Sequence, residues 1–280
     1  MKTRILILAS GLFMLAFYTA AEDVVDHLTV PLSNPGQPGH VKVSVLSGAI
    51  KITGYEGASV DVTCRSKMDE EPGQDKSGKG INGMFRIPVS SSEMEVEENN
   101  NRVEIRVPSI KNEADLEIKV PVNTSLTLNL VNNGDIVIEN VNGEIEAGNV
   151  NGCIIMTGVS GSVAASTTNG DINVKMNRVS PDKPMSFNSF NGDVDVTLPA
   201  GLNATVKIKT TQGDAYSDFK ITKTEKSNIV TEENKKGKDG KYRVVVEHAF
   251  YGTIAAGGPE FTFTTYNGDI MIRKAEQGAL

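Results

Sequence analysis

Asn133-Gly134-Asp135-Ile136, Asn142-Gly143-Glu144-Ile145, Asn151-Gly152-Cys153-Ile154, Ser160-Gly161-Ser162-Val163 and Asn169-Gly170-Asp171-Ile172 are five versions of one phrase, their glycines nine residues apart. Asn precedes Gly in four of the five, and a β-branched aliphatic stands two places after Gly in all of them. A fixed internal period dictates architecture, so the chain is read outward from this block. Gly at a recurring sharp bend supplies backbone geometry that other residues resist, and Asn tolerates the neighbouring conformation. The phrase therefore predicts structural turns rather than an active site.

Beyond the block the spacing relaxes. Asn191-Gly192-Asp193-Val194 follows Gly170 by 22 residues, and Gln212-Gly213-Asp214-Ala215 follows that by 21. Each longer unit holds two alternating strands, so the nine-residue phrase reads as half of an 18-residue coil. A strand so short cannot bury its own apolar face, whereas stacked repeats share an interior. The fold class this predicts is all-β: a single-stranded parallel β-helix, or β-solenoid, with about two short strands per 18–22-residue coil. Ser47-Gly48-Ala49-Ile50 is a degenerate early copy, and Asn267-Gly268-Asp269-Ile270 closes the series. Phe261, Phe263 and Tyr266 beside that last copy predict a C-terminal cap sealed by large side chains.

The flanks agree with an all-β chain. Val41, Val43 and Val45, then Ile50, Ile52, Val60 and Val62, alternate with polar residues, and no segment after the leader repeats every 3.6 residues. Further strands are predicted at 85–89, 93–96, 103–107, 116–120 and 242–246, with a turn at Asn99-Asn100-Asn101. Residues 67–84 and 219–240, rich in charge and glycine, read as loop insertions. Lys2 and Arg4, an apolar run from Ile5 to Tyr18 and Thr19-Ala20-Ala21 predict a secretory signal over 1–21. Residues 22–280 then form one elongated exported domain, periplasmic, cell-surface or secreted, with no stable membrane insertion after cleavage.

The chain has a net charge of −7 with scattered basic residues, and no Trp. Nucleic acid is a poor partner for such a surface. Alternation turns Cys64 inward with Val60 and Val62, while Cys153 takes the outward position of Asp135 and Asp171, so two free thiols are expected. His27, His40 and His248 stand apart from any ligand-like spacing, and no nucleophile elbow or phosphate loop occurs. The stacking register lines up Asn133, Asn151, Asn169 and Asn191, continued by Gln212, as an amide ladder. It also lines up Asp135, Cys153, Asp171, Asp193 and Asp214, which read as water-facing turn acids more readily than as a row of Ca²⁺ sites. No catalytic residue, cofactor or metal site is marked.

The repeats, together with Gly257-Gly258-Pro259 and Thr265-Tyr266-Asn267-Gly268-Asp269-Ile270, resemble the bacterial putative-adhesin families of unknown function built from β-strand repeats. Ala255-Ala256 departs from the Asn-Gly commoner there. The resemblance covers residues 41–274 and implies a β-solenoid with no catalytic residues to transfer. It implies an exported, non-enzymatic adhesin or envelope scaffold; the partner is left unknown, with an envelope glycan or a surface protein as the candidates. The rival expectation is a carbohydrate-active β-helix enzyme, of the lyase or glycosidase kind.

Overall fold

The computed structural model describes residues 24–67, 94–108, 113–224, 229–230, 245–246 and 249–276. The 1–21 leader, His248 and most of the 67–84 and 219–240 loops lie outside the described residues, as do the strands expected at 85–89 and over most of 242–246. Among the described residues every regular element is a strand. The N-terminal strands are β1 (Val24–Pro31), β2 (Gly39–Ser47), β3 (Ile50–Tyr55) and β4 (Ser59–Lys67). Next come β5 (Glu95–Asn99), β6 (Arg102–Val107), β7 (Glu113–Pro121), β8 (Thr124–Asn132) and β9 (Ile136–Glu139). The repeats form β10 (Asn142–Asn151), β11 (Ile154–Asn169), β12 (Ile172–Val179), β13 (Met185–Asn191) and β14 (Val194–Leu198). The last third gives β15 (Ala204–Gln212), β16 (Ala215–Ser217), β17 (Ile221–Lys223), β18 (Ile229–Val230) and β19 (Val245–Val246). It ends with β20 (Phe250–Ile254), β21 (Glu260–Asn267) and β22 (Ile270–Lys274).

Two-residue alternation makes these strands and aims them. Val41, Val43 and Val45 are buried while Lys42 between them is exposed; Leu126, Leu128 and Leu130 repeat the pattern on β8. Asn100 and Asn101 both take positive φ, 51° and 62°, and close the β5–β6 hairpin. That is the mirror-type turn whose twist matches paired strands, and Asn is suited to it.

Eleven strands form one unbroken ladder in the order β5, β6, β2, β8, β10, β11, β13, β21, β15, β20, β17. The architecture is a nearly closed 11-strand barrel. A second ladder runs β1, β4, β7, β3, β9, β11, β12, β14, β22, β16. The long β11 belongs to both, so all 20 strands join one sheet; β18 and β19 pair separately.

The expected single-stranded parallel β-helix is therefore overturned. A solenoid of that kind adds coils in chain order and in one polarity. Here β1–β4, β4–β7, β5–β6, β15–β20 and β17–β20 pair antiparallel. Two segments are also inserted out of chain order: β2 lies between β6 and β8, and β21 between β13 and β15. Periodicity reports a strand's phase, which is the same in every copy of the phrase, but not which copy it pairs with.

One apolar cluster fills the interior, mostly Val, Ile and Leu. Fully burying such a side chain contributes about 1.5–3 kcal/mol. The expected C-terminal cap is also corrected. Phe261 and Phe263 are wholly buried within the wall, where Phe263 stacks on Phe187 at 5.3 Å, because β21 is an interior strand rather than an end. Of the 219–240 stretch, Phe219 is buried under Lys274, whose ammonium lies 5.2 Å from the ring centre, and Ile221–Lys223 is strand.

Candidate functional site

The repeat phrases assemble one corner of the wall. Along it the glycines follow in the order Gly48, Gly134, Gly152, Gly170, Gly192, Gly268, Gly213, and a Cβ on each of the last six would collide with the carbonyl of the glycine before it. Close backbone approach, more than turn freedom, thus requires glycine here. Gly143 and Gly161 belong to a second corner, where a Cβ on Gly161 would meet the Gly143 carbonyl and one on Gly143 the Thr124 carbonyl.

Side chains lock the same corner on three sides. Outside it, Asn151 donates to Asn132, Asn169 to Asn151, Asn191 to Asn169 and Asn267 to Asn191, each Nδ2 to Oδ1 at 2.7–2.9 Å. Inside it, the Thr167, Ser189, Thr265 and Thr210 hydroxyls donate to the carbonyls of Gly152, Gly170, Gly192 and Gly268 at 2.9–3.0 Å. Asn149 does the same for Gly134 through its amide, at 3.0 Å. In the acid column, Asp135, Asp171, Asp193 and Asp269 accept the backbone N–H of Cys153, Asp193, Asp269 and Asp214 at 2.7–2.8 Å. Hydrogen bonds repeated from strand to strand in this way fix the corner's geometry.

Two columns differ from expectation. Asn132, not Asn133, starts the amide ladder; Asn133 instead takes φ of 67° and donates to Ser47 Oγ at 3.2 Å. Asn267 and Asp269 also intervene before Gln212 and Asp214, a consequence of the inserted β21. Asn142 caps the second corner by donating to Asn123 at 2.9 Å. Cys153 substitutes for an acid, its sulfur accepting the Asp171 N–H at 3.4 Å. Both cysteines are free, and burial pushes the Cys64 thiol up. Among the described residues no group of three or more His, Cys, Asp or Glu could hold a metal ion.

The outer face also carries a surface feature that the sequence did not mark. A trough of about 680 Å³ crosses the outer face of β2, β8, β10, β11, β13 and β21. Ser125, Thr127, Ser162, Ser186 and Thr262 supply hydroxyls, and Glu144, Glu146, Glu260 and His40 supply ionisable groups. Lys183 pairs with Glu144 across it. His40 accepts from or donates to Thr127 Oγ1 at 3.3 Å and also borders a smaller cleft of about 270 Å³ with Lys42, Glu97 and Arg102. Desolvation, then the Arg102 and Lys42 charges, hold its pKa below the usual histidine value, against a smaller opposing pull from Glu144 and Glu146. On the same face, Phe190 and Tyr266 stack at 4.9 Å with planes 5° apart, although both are largely exposed. His27 is exposed on β1.

A family model described as Toastrack DUF4097 matches residues 133–249. No curated protein matches the chain. Among solved structures, a putative cell adhesion protein from Clostridium sporogenes ATCC 15579 is similar over 91% of this chain and 100% of that one, at 12% identity and a TM-score of 0.48. A putative adhesin from Bacteroides fragilis NCTC 9343 is similar over 91% and 98%, at 11% identity and a TM-score of 0.32. The family resemblance is thus corrected: the likeness to adhesins is weak and distant, and the β-solenoid it implied is not the architecture. No helix of the described residues is long and apolar enough to cross a membrane.

Proposed function

We propose that the protein is an exported, non-enzymatic interaction module of the cell envelope, an adhesin or scaffold, which docks its partner along the outer trough. The observation that carries this reading is the trough itself, a shallow surface spanning six strands whose polar lining is three carboxylates, His40 and five short hydroxyl side chains. The hydroxyls can hydrogen-bond an extended polymer without a large entropy cost, since Ser and Thr have few rotamers to lose. The locked corner beside it keeps the spacing of those groups fixed, which preorganises the face for binding.

The test places a photo-crosslinking residue at Ser162 or Thr262 in the trough, or at Asn173 on the opposite ladder, in the exported native chain. Envelope crosslinks from the first two sites and none from Asn173 are the expected result. Equal labelling from all three sites would refute a trough partner. In parallel, a panel of envelope polysaccharides is incubated with the protein and assayed for new reducing or unsaturated ends. Turnover of any of them would replace this reading with the carbohydrate-active one.

A further inference from the structure

The trough runs across the strands, and its ionisable groups are spaced along it. Glu144 and Glu146 stand on β10 and Glu260 on β21, all three exposed. Between them the floor is short: Ser162 and Ala164 on β11, Pro184 and Ser186 at β13, and Thr262 on β21. Carboxylates on longer stems therefore stand to either side of a low floor. Glu144 and Glu260 share one row, because Glu144 pairs with Ser162 while the pairs Ala164–Ser186 and Met185–Phe261 set Pro184 between Ser162 and Glu260. Three strand spacings separate the two acids, about 14 Å.

One ammonium already sits in the trough. Lys183 enters from the chain just ahead of β13 and pairs with Glu144 on β10, so its stem crosses β11. The protein's own lysine thus shows what the surface accepts: an aliphatic stem laid over short side chains, its charge on a carboxylate. Glu146, two residues further along β10, has no hydrogen bond or ion pair among the described residues. Three carboxylates along one surface repel an anionic polymer and attract a cationic one.

Resting on the docking face proposed above, we infer that the trough takes an extended, lysine-bearing segment of a partner polypeptide. An extended chain rises about 3.3 Å per residue and turns every second side chain to the same side. Two lysines four residues apart therefore face one way about 13 Å from each other, close to the span from the β10 acids to Glu260. Lysines three apart face opposite ways. The first lysine meets Glu146, or Glu144 in exchange with Lys183, and the second meets Glu260. Between them the segment's main chain lies over the Ser162, Ser186 and Thr262 hydroxyls, which can donate to its carbonyls or accept from its amides. An aminated glycan holds its ammonium on the ring, without the flexible stem by which Lys183 reaches Glu144. Lys183 is on this account a competitor built into the chain.

The experiment titrates the full chain at low ionic strength, where screening is weak, with capped fluorescent nonapeptides of serine and threonine, read by anisotropy. One peptide carries two lysines four residues apart, a second carries them three apart, and a third carries two glutamates four apart; a chitosan hexamer is the glycan arm. The first peptide is expected to bind at least about 3-fold more tightly than the second, and the glutamate peptide not to bind below about 1 mM. Glu146→Gln should weaken the first peptide about 3-fold, whereas Lys183→Gln, which releases Glu144, should tighten it by about the same factor. Glu56→Gln makes the same charge change at an exposed residue outside the trough and should leave binding as it was. Circular dichroism of each variant should match the wild type. Equal affinity for the two lysine spacings, weaker binding by Lys183→Gln, or tighter binding of the chitosan hexamer than of the first peptide would overturn the inference. Crosslinks from Ser162 and Thr262 without binding of any peptide would keep the docking face and sink the basic partner alone.

Discussion

Replacing Gly170 with Ala tests the corner on which the wall depends. Gly170 has φ of +154°, and a Cβ there would lie 2.5 Å from the Gly152 carbonyl carbon and closer still to its oxygen. Reaching even 3.0 Å, the least that real Cβ atoms keep, requires β11 and its neighbour to separate by at least about half an ångström. That stretch falls on the Gly152 N–H to Asn169 bond at 2.8 Å, the Ile154 N–H to Asp171 bond at 2.9 Å and the Asn169 to Asn151 amide bond at 2.9 Å. Two or three weakened bonds at about 1 kcal/mol each, with 1–2 kcal/mol for a side chain at positive φ, sum to roughly 3–5 kcal/mol. Two other glycines separate the contributions. Gly36 has φ of +88° with nothing near a Cβ, so Gly36→Ala should cost only the backbone part, about 1–2 kcal/mol. Gly201 has neither constraint, and Gly201→Ala should be neutral or stabilise by about 0.4–1 kcal/mol. Urea titrations followed by circular dichroism rank the three by midpoint at constant slope. Equal losses at Gly170 and Gly36 would refute the claim that close strand approach, rather than turn conformation, selects glycine.

Three further outcomes follow from side chains around the wall. Asn149 donates to the Gly134 carbonyl, but its Oδ1 is buried without a hydrogen-bond partner among the described residues, where sister repeats use Thr or Ser. Asn149→Thr keeps the donor and removes the orphan acceptor, so it should raise the urea midpoint by about 1 kcal/mol equivalent; a lowered midpoint would count against the account. Cys64 is buried with a raised pKa and Cys153 is partly exposed, so a thiol reagent at pH 8 should modify Cys153 alone in the native protein and both on unfolding. Mass spectrometry that finds Cys64 labelled first would reverse the inward assignment of β4. Since the folded-state pKa of His40 is depressed, the unfolded chain takes up its proton first as pH falls below about 6.5. The stability contributed by the neutral ring is full above that pH and lost as pH drops through the lower folded value. His40→Gln should therefore flatten the stability profile on the acid side of 6.5, and parallel wild-type and variant profiles would show that neither burial nor the charges of Arg102, Lys42, Glu144 and Glu146 perturb His40.

How far the sequence could be read follows from what periodicity encodes. Inward and outward positions were legible, because a strand that turns every second residue to the core must write Val41, Val43 and Val45 that way. The recurrence of glycine at Gly134, Gly152 and Gly170 was legible, but not its cause, because a close approach such as that of Gly170 to Gly152 writes the same residue as a turn does. Trough residues such as Ser125, Ser162 and Thr262 were not, because short polar side chains on an outward face look the same whether they meet solvent or a ligand. Strand order was hidden for a different reason. Phe190-Asn191-Gly192 and Tyr266-Asn267-Gly268 share one phase, so both rings could be placed just before the amide ladder on the outer face. Phase alone cannot make them neighbours. In chain order β13 would be followed by β15, and Phe190 would face Thr211; only the insertion of β21 brings Tyr266 against Phe190. The insertion that overturns the expected solenoid is therefore the same step that sets Tyr266 against Phe190.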